Sequence, residues 1–294
     1  MIDVEIVCPA CKRSGHISYI GKVEDITKID ETEIKCARCK TTYPVIHGIP
    51  IIVLPENRNP RNLPSTRPPN EFIEYETQST KRTSQIIRRY STGVSLDVGC
   101  GKGPHNDYFN GDIVLCDINY HFVYEALNRW SSDYSAYGIV ADAVNLPFSN
   151  DSFDFVFCSN MLEHLSPQYI EHTITSLIGI TKEFLVVEVP NQGIFSIVLR
   201  SALTKMGVYS QTSYDDSTLE HHTDFNIGML KSYGFKVRGC IGWVTRERLR
   251  IGFLWDIYDL ITWHIPAFSG TLIGIFRKEP NSRNSDSIID NHKF

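Results

Sequence analysis

Between residues 93 and 190 the apolar residues fall in short runs, and most of these runs stop at a polar or acidic residue. Val94 to Val98 is mainly apolar and is broken by Asp97. Ile113 to Cys116 ends in Asp117, and Ala136 to Ala141 ends in Asp142. Ser152 to Cys158 and Phe184 to Pro190 follow, the last closed by Asn191. Runs of this length, bounded by turn residues, predict buried strands. Helical spacing lies between them. Phe122, Ala126, Leu127 and Trp130 predict a helix packed on a sheet, another helix closes near Leu177, and Ile194 to Met206 reads as amphipathic. Asn70 to Tyr90 predicts a leading helix with Phe72, Tyr75, Ile86 and Ile87 inward. Lys236 to Trp243 and Ser269 to Arg277 predict two more strands. Strands alternating with helices predict an α/β fold with a largely parallel sheet.

The first predicted turn carries Gly99, Gly101 and Gly103. A glycine loop after a strand lets backbone N–H groups approach a ligand closely, because no Cβ intervenes. Asp117, 20 residues after Asp97, is placed to hold a ribose hydroxyl pair. The glycine spacing is G-x-G-x-G, with an acid two residues before it, not the G-x-G-x-x-G of a dinucleotide site. An acid there would repel a pyrophosphate and attract a cation. S-adenosylmethionine carries an ammonium and a sulfonium and no phosphate. The stretch resembles the first motif of class I S-adenosylmethionine-dependent methyltransferases, and the order of strand, Asp142, Leu146-Pro-Phe and Ser152-Phe-Asp-Phe-Val-Phe-Cys-Ser-Asn resembles later motifs of the type 11 members. The resemblance implies a Rossmann-like domain with a seven-stranded mixed sheet, the last two strands forming an antiparallel hairpin at its edge. It also implies that Asp97 and the glycines hold the methionine end and Asp117 the ribose. Asp142 then bonds the adenine amino group and Ala143 offers a backbone N–H. Ile118 and Ser159 complete the expected cofactor set. One departure is visible: only eight residues separate Gly103 from Asp112, so the helix after the loop is expected to be short, with Pro104 at its start.

Asn160-Met-Leu-Glu163-His164 follows the fourth strand, where a transferred methyl would lie. Glu163 and His164 match an "EH" common in the family. A neutral histidine there can accept a proton from a substrate hydroxyl. The residues alone leave open the reading in which Glu163 pairs locally and His164 packs under the cofactor. Some O-methyltransferases carry E-x-x-E-H at this point and bind a divalent metal; here Asn160 replaces the first glutamate, and an amide oxygen brings no charge. His222, in a segment that resembles the family's H-x-x-F, is a second candidate for proton transfer, with a role in capping the next helix left equally open; His221 is expected to be exposed. Asn160, Glu188, Asn191 and Tyr75 are the expected acceptor contacts.

Ahead of this domain, Cys8-Pro-Ala-Cys11 and Cys36-Ala-Arg-Cys39 form two C-x2-C pairs separated by 24 residues. Four thiolates on two knuckles make a closed tetrahedral site whose usual occupant is zinc. Ile17 to Ile20 and Glu33 to Lys35 are expected strands of this unit. The following Tyr43-Pro-Val-Ile-His-Gly-Ile-Pro resembles the end of a Trm112-type zinc ribbon, with His47 in a turn and expected to be solvated. The domains are read as a ribbon over 1–55, a proline-rich linker over 56–70, a methyltransferase domain over 71–279 and a polar, disordered tail over 280–294. The ribbon holds seven basic and seven acidic residues, which gives no support for RNA binding. It is read as a folding module, a partner contact or a substrate lid.

Composition narrows the acceptor. The 294 residues are 42% hydrophobic and 21% charged, as in soluble globular proteins. A net charge of −5 and a pI near 6.1 argue against broad binding to a phosphate backbone. No apolar run is long enough for a membrane-spanning helix, and the N-terminus, with Asp3 and Glu5, does not read as a secretory signal. A cytoplasmic location is expected. The aromatic stretch between Arg246 and Phe268 reads as core or a dimer face, with peripheral membrane contact as the other reading. The function expected is methyl transfer, by O-methylation, to a small-molecule, glycan or lipid-linked acceptor. Its rivals are RNA methylation and a non-catalytic scaffold that keeps the fold. The oligomeric state and the acceptor's identity are not legible in the sequence.

Overall fold

The computed structural model describes residues 4–12, 14–17, 32–58, 79–205, 221–240 and 252–279. Among them a seven-stranded sheet forms the centre. Its strands are β6 (Gly93–Val98), β7 (Gly111–Asp117), β8 (Ala136–Val140), β9 (Phe153–Ser159), β10 (Thr181–Pro190), β11 (Lys236–Cys240) and β12 (Thr271–Arg277). Across the sheet they run β11-β12-β10-β9-β6-β7-β8. The five strands from β8 to β10 are parallel, while β12 runs antiparallel to both β10 and β11. This is the mixed Rossmann-like sheet expected, with the hairpin at its edge.

The order places β6 at the switch point, since the chain leaves it toward β7 on one side and returns through β9 on the other. Asp97 is in register with Leu115 of β7 and Phe157 of β9. Ligands of open α/β sheets bind outside the strand ends at such a point.

Alternating side chains build two apolar layers. Leu96, Val114, Val156 and Val187 face one side, with α3 (Pro167–Ile180) burying Ile170, Ile174, Leu177 and Ile180 there. Ile113, Leu115, Phe155 and Val186 face the other, covered by α1 (Ser79–Tyr90), through Ile86 and Ile87, and by α2 (Tyr120–Asn128). Strands covered on both faces read as continuous apolar runs, which is why the sequence revealed them so plainly.

The cysteine-bearing segment forms β1 (Ile6–Val7), β2 (Ser14–Ile17), β3 (Thr32–Lys35), β4 (Thr42–Ile46) and β5 (Ile49–Pro50). It packs directly on the β8 side of the sheet. The Ile52 N–H donates to the Val140 carbonyl at 2.8 Å, Ile51 bridges Val140, and the Val7 N–H donates to the Pro147 carbonyl at 2.9 Å. Val4, Ile6, Cys8 and Cys36 join the core layer that contains Leu96, while Ile49, Ile51 and Val53 join the other. The segment therefore shares its core with the sheet and covers an edge that would otherwise offer unpaired backbone groups.

Several local expectations change. The region after the glycine loop holds only a 3-10 turn, Asn106–Tyr108, with Pro104 before it and not at its first position. A single turn is all that the eight-residue span can form before β7 begins. In α2 Tyr120, Val123 and Ala126 are buried, Leu127 and Trp130 pack against the same layer as expected, and Phe122 is half-buried. The third helix runs on to Ile180 instead of ending at Leu177. β2 lies ahead of the strand expected over 17–20, most of which falls outside the described residues. Linker residues 59–70, Phe72 and Tyr75, residues 241–251 and the tail also lie outside them. Two further helices, α4 (Ile194–Lys205) and α5 (Ile227–Ser232), follow β10, and α6 (Gly252–His264) leads into β12.

Candidate active site and cysteine centre

At the end of β6 the carboxylate of Asp97 is buried, and its Oδ2 has no hydrogen-bond partner among the described residues. Burial, with the Asp117 charge adding to it, pushes this acid up to about 8. A carboxyl group in a dry site resists ionisation until a cation arrives. The neighbouring loop is shaped by three glycines with positive φ, +74° at Gly99, +51° at Gly101 and +76° at Gly103. A Cβ at Gly99 would meet Met161, and one at Gly103 would meet Asn106, whereas one at Gly101 would enter open space. Gly101 is thus the glycine whose side faces open space.

The loop N–H groups are turned inward, contrary to the expectation that they face a ligand. The Gly99 N–H donates to the Cys116 carbonyl, the Gly103 N–H to the Cys100 carbonyl, and the Gly101 N–H to Asp117 Oδ2 at 3.1 Å. What the glycines supply is close approach of the backbone, not donors. Asp117 also accepts the Asn119 N–H at 2.8 Å through Oδ1, so the ribose-side acid is clamped in one orientation; burial raises it to about 6 despite those bonds. Ile118, beside it, is exposed. Asp142 caps the turn after β8 by accepting the Val144 N–H at 2.9 Å, which orients Ala143 at the next strand end.

A second group gathers at the end of β9. Glu163 is buried in a 3-10 turn, Leu162–His164, and burial, with Glu188 nearby, raises it to about 8; its Oε2 has no partner among the described residues. His164 is half-buried, and its ring lies edge-on to that of His221 at 5.1 Å. Donor atoms of Glu163, His164 and His221 all lie within 4.8 Å of one another, so the three could hold a divalent cation. The Glu163 carbonyl accepts the N–H groups of His222 and Thr223, at 2.8 and 3.1 Å, and this ties the segment to the turn. The ring brought to His164 is that of His221, though it is exposed as expected; His222 contributes its backbone. The sequence offered no signal for this, since adjacent histidines point apart and the strap's course decides which faces inward.

Glu188 is buried at the end of β10. Its Oε2 accepts hydroxyl bonds from Thr83 of α1 and Ser159 of β9, both at 3.0 Å. Thr83 was not anticipated, because nothing in α1's sequence marks it as inward-facing toward an acid. Asn160, with φ +48°, donates its backbone N–H to the Glu188 carbonyl and its side-chain amide to Ser159. Asn191 is wholly buried and braces the loop after β10 by donating to the carbonyls of Pro266 and Ser269. Of the expected acceptor contacts, Asn160 and Glu188 therefore stand beside Ser159, Asn191 lies in the adjoining loop, and Tyr75 lies outside the described residues.

Residues 96–182 match the family model described as a methyltransferase domain. Over that stretch the chain resembles a methyltransferase domain. The match includes Asp97, the three glycines, Asp117, Asp142 and the Glu163-His164 turn, and it stops inside β10. Solved structures are similar at low identity. The small RNA methyltransferase HEN1 is 17% identical over 72% of this chain and 27% of its own, with a TM-score of 0.48, so this chain spans about a quarter of that protein. Magnesium protoporphyrin IX methyltransferase from Synechocystis PCC 6803, solved with bound SAH, is 16% identical over 69% of this chain and 83% of its own, at 0.45. A complex of the Haloferax volcanii Trm112 methyltransferase activator with a putative methyltransferase gives 16%, 70%, 90% and 0.46. No curated protein matches the chain.

The methyltransferase domain adjoins the cysteine centre. Cys8 and Cys39 sulfurs lie 3.6 Å apart and those of Cys11 and Cys36 3.7 Å, and all four are free thiols within 4.8 Å of one another. Four sulfurs at about 2.3 Å from a zinc ion stand about 3.8 Å from each other, so the quartet has the size of a tetrahedral site. The Tyr43 hydroxyl lies 3.2 Å from the Cys8 sulfur, and Thr41 Oγ1 accepts from Cys39 at 3.2 Å. The same hydroxyl, turned to donate to the thiolate, is the main reason the Cys39 thiol is held down to about 6. His47, expected to be solvated, instead bonds the Tyr120 hydroxyl at 2.6 Å, three residues beyond Asp117.

Asp97 costs the ligand-free fold stability near neutral pH. Its pKa is raised on folding, so its favourable contribution is fully present below about 4, shrinks above that, and is gone once pH passes about 8. Asp97→Asn is expected to stabilise the ligand-free protein by about 1–4 kcal/mol at pH 7 and by much less at pH 4. Urea titration at both values measures this, and equal effects at the two would contradict the burial of an ionisable Asp97.

Proposed function

We propose that the chain transfers the methyl group of S-adenosylmethionine to an oxygen of a small-molecule, glycan or lipid-linked acceptor. The observation that carries this reading is the unpartnered, buried carboxylate of Asp97 beside the open space at Gly101. A dry carboxylate favours a cation, and open space beside a glycine backbone allows close approach of a ligand. The methionine ammonium would meet Asp97, the ribose hydroxyls Asp117, and the adenine Asp142 and the Ala143 N–H, with Ile118 and Ser159 along the same strand ends.

Bound there, the cofactor supplies an electrophilic methyl group on its sulfonium. The protein's part is mostly positioning, which can supply much of the acceleration in such a displacement. His164 takes the proton from the acceptor hydroxyl. Its neighbour His221 holds the ring in place, and Glu163, kept protonated by burial at neutral pH, adds no competing charge. Asn160, Glu188 and Asn191 bound the acceptor side, and Glu188 is oriented by Thr83 and Ser159. The overall negative charge disfavours RNA as the acceptor.

Calorimetry with S-adenosylmethionine is expected to give a dissociation constant on the order of micromolar, weakened about tenfold or more by Asp117→Ala, since a bidentate acceptor is lost. Failure of the well-folded protein to bind would favour the scaffold reading instead.

The quartet of Cys8, Cys11, Cys36 and Cys39 is proposed to hold a structural zinc ion with no open position for chemistry. About one zinc per chain is expected by metal analysis. Because the cysteine-bearing segment shares its core with the sheet, Cys11→Ser should lower both zinc content and the melting temperature of the entire domain in a single transition. A separate early transition would show that the ribbon folds on its own.

A further inference from the structure

Nine of the twelve exposed large hydrophobic residues among the described ones lie on α4, on α6, or on the short segment just after α6, and so are concentrated in one region. Ile194, 78% exposed, Phe195, 64% exposed, and Val198 project from α4. Leu260, Ile265 and Phe268 continue the surface along α6 and beyond it. The Phe195 and Phe268 rings meet at 5.9 Å, which joins the two parts. Three hydroxyl residues of these elements lie on the inner side. Ser196 is buried and donates to the Ser269 carbonyl at 2.8 Å; Thr262 and Ser269 are wholly buried. Hydroxyls inside and large apolar side chains outside reverse the usual order of a water-facing helix. A contiguous patch of this kind marks a contact with an apolar medium or partner.

The charges around the patch select among occupants. The only charged residues of α4 are Arg200 and Lys205. At the edge of α6 the Trp263 ring lies under two guanidinium groups, Arg82 at 5.0 Å and Arg238 at 5.8 Å. Arg82 also donates to Asp259 at 2.7 Å, which neutralises that acid of α6. Arg82 and Arg238 thus stand at the edge of α6 although the chain as a whole carries a charge of −5. An indole with guanidinium groups bordering an apolar face suits the headgroup level of an anionic bilayer. A two-fold contact between copies would set one cationic rim against its own image, which is unfavourable.

We propose that this face of α4, α6 and the turn after α6 docks on an anionic lipid bilayer, its apolar side chains entering the interface and its cationic rim meeting lipid phosphates. The face borders the candidate site. Asn191, directly after β10, braces the turn that follows α6, and α4 starts three residues later. Thr83 contacts Glu188, while the adjacent Arg82 contacts α6. A docked protein would present the acceptor side of the site near the membrane surface. Bilayer binding itself does not depend on methyl transfer.

The test is co-sedimentation of the full chain with vesicles of phosphatidylcholine alone, or of equal parts phosphatidylcholine and phosphatidylglycerol. Partitioning onto the anionic vesicles should exceed that onto neutral ones by about tenfold and fall with added salt. The double variant Phe195→Ser with Leu260→Ser should lose about tenfold of that binding while keeping its melting temperature. Three results would overturn the proposal: no preference for anionic vesicles; light scattering that finds a dimer which the double variant dissolves; or a fall of several degrees in the variant's melting temperature, which would mean that the face is covered within the chain itself. Because calorimetry with S-adenosylmethionine is read separately, a failure of docking is distinguishable from a failure of the catalytic reading.

Discussion

A carboxylate held dry at the junction of three parallel strands is the constraint around which this domain is arranged. Asp97 lies between Leu115 of β7 and Phe157 of β9, and neither neighbour offers it a donor. Desolvating an acid is costly, and proteins ordinarily neutralise or pair such a group. Here Oδ2 is left without a partner, with open space beside it at Gly101. The cost is met by the apolar layers on both faces of the sheet, and on the proposed reading a cationic ligand would recover it. Local instability of this kind is common where binding is the purpose of the residue.

The other acids are treated differently, and the contrast is informative. Asp117 is clamped by the N–H groups of Gly101 and Asn119, and Asp142 caps a turn. Both keep their orientation without a ligand, as hydrogen-bonding groups should if they are to read hydroxyls and amines. Glu188 is likewise oriented, by hydroxyls from two elements, so the end of β10 is as ordered as the ends of β7 and β8. The cysteine-bearing segment belongs to this rigidity. It covers β8, and through His47 it reaches Tyr120 near the ribose-side acid.

The sequence disclosed the sheet well, because strands buried on both faces leave unbroken apolar runs and their ends are marked by acids. It disclosed Asp97, Asp117 and Asp142 for the same reason. It was less informative wherever the outcome depends on tertiary packing. The direction of the glycine N–H groups follows from the approach of Cys116 and Asp117, which no local pattern reports. The ring beside His164 is that of His221, where the Glu163 carbonyl fixes the strap through its backbone. Nothing local in α1 signals that Arg82 is held by Asp259, 177 positions further along the chain, and by Trp263. The docking of the ribbon on β8 was also hidden, since a strand edge has no signature until the sheet order is known.

If Asp97 is protonated before a cationic ligand binds and ionised afterwards, binding must release its proton. Calorimetric titration with S-adenosylmethionine at pH 7, repeated in two buffers of different ionisation enthalpy, counts that proton. The account predicts release of about one proton per ligand bound, and loss of that release in Asp97→Asn. Binding with no proton released by the unaltered protein would contradict it.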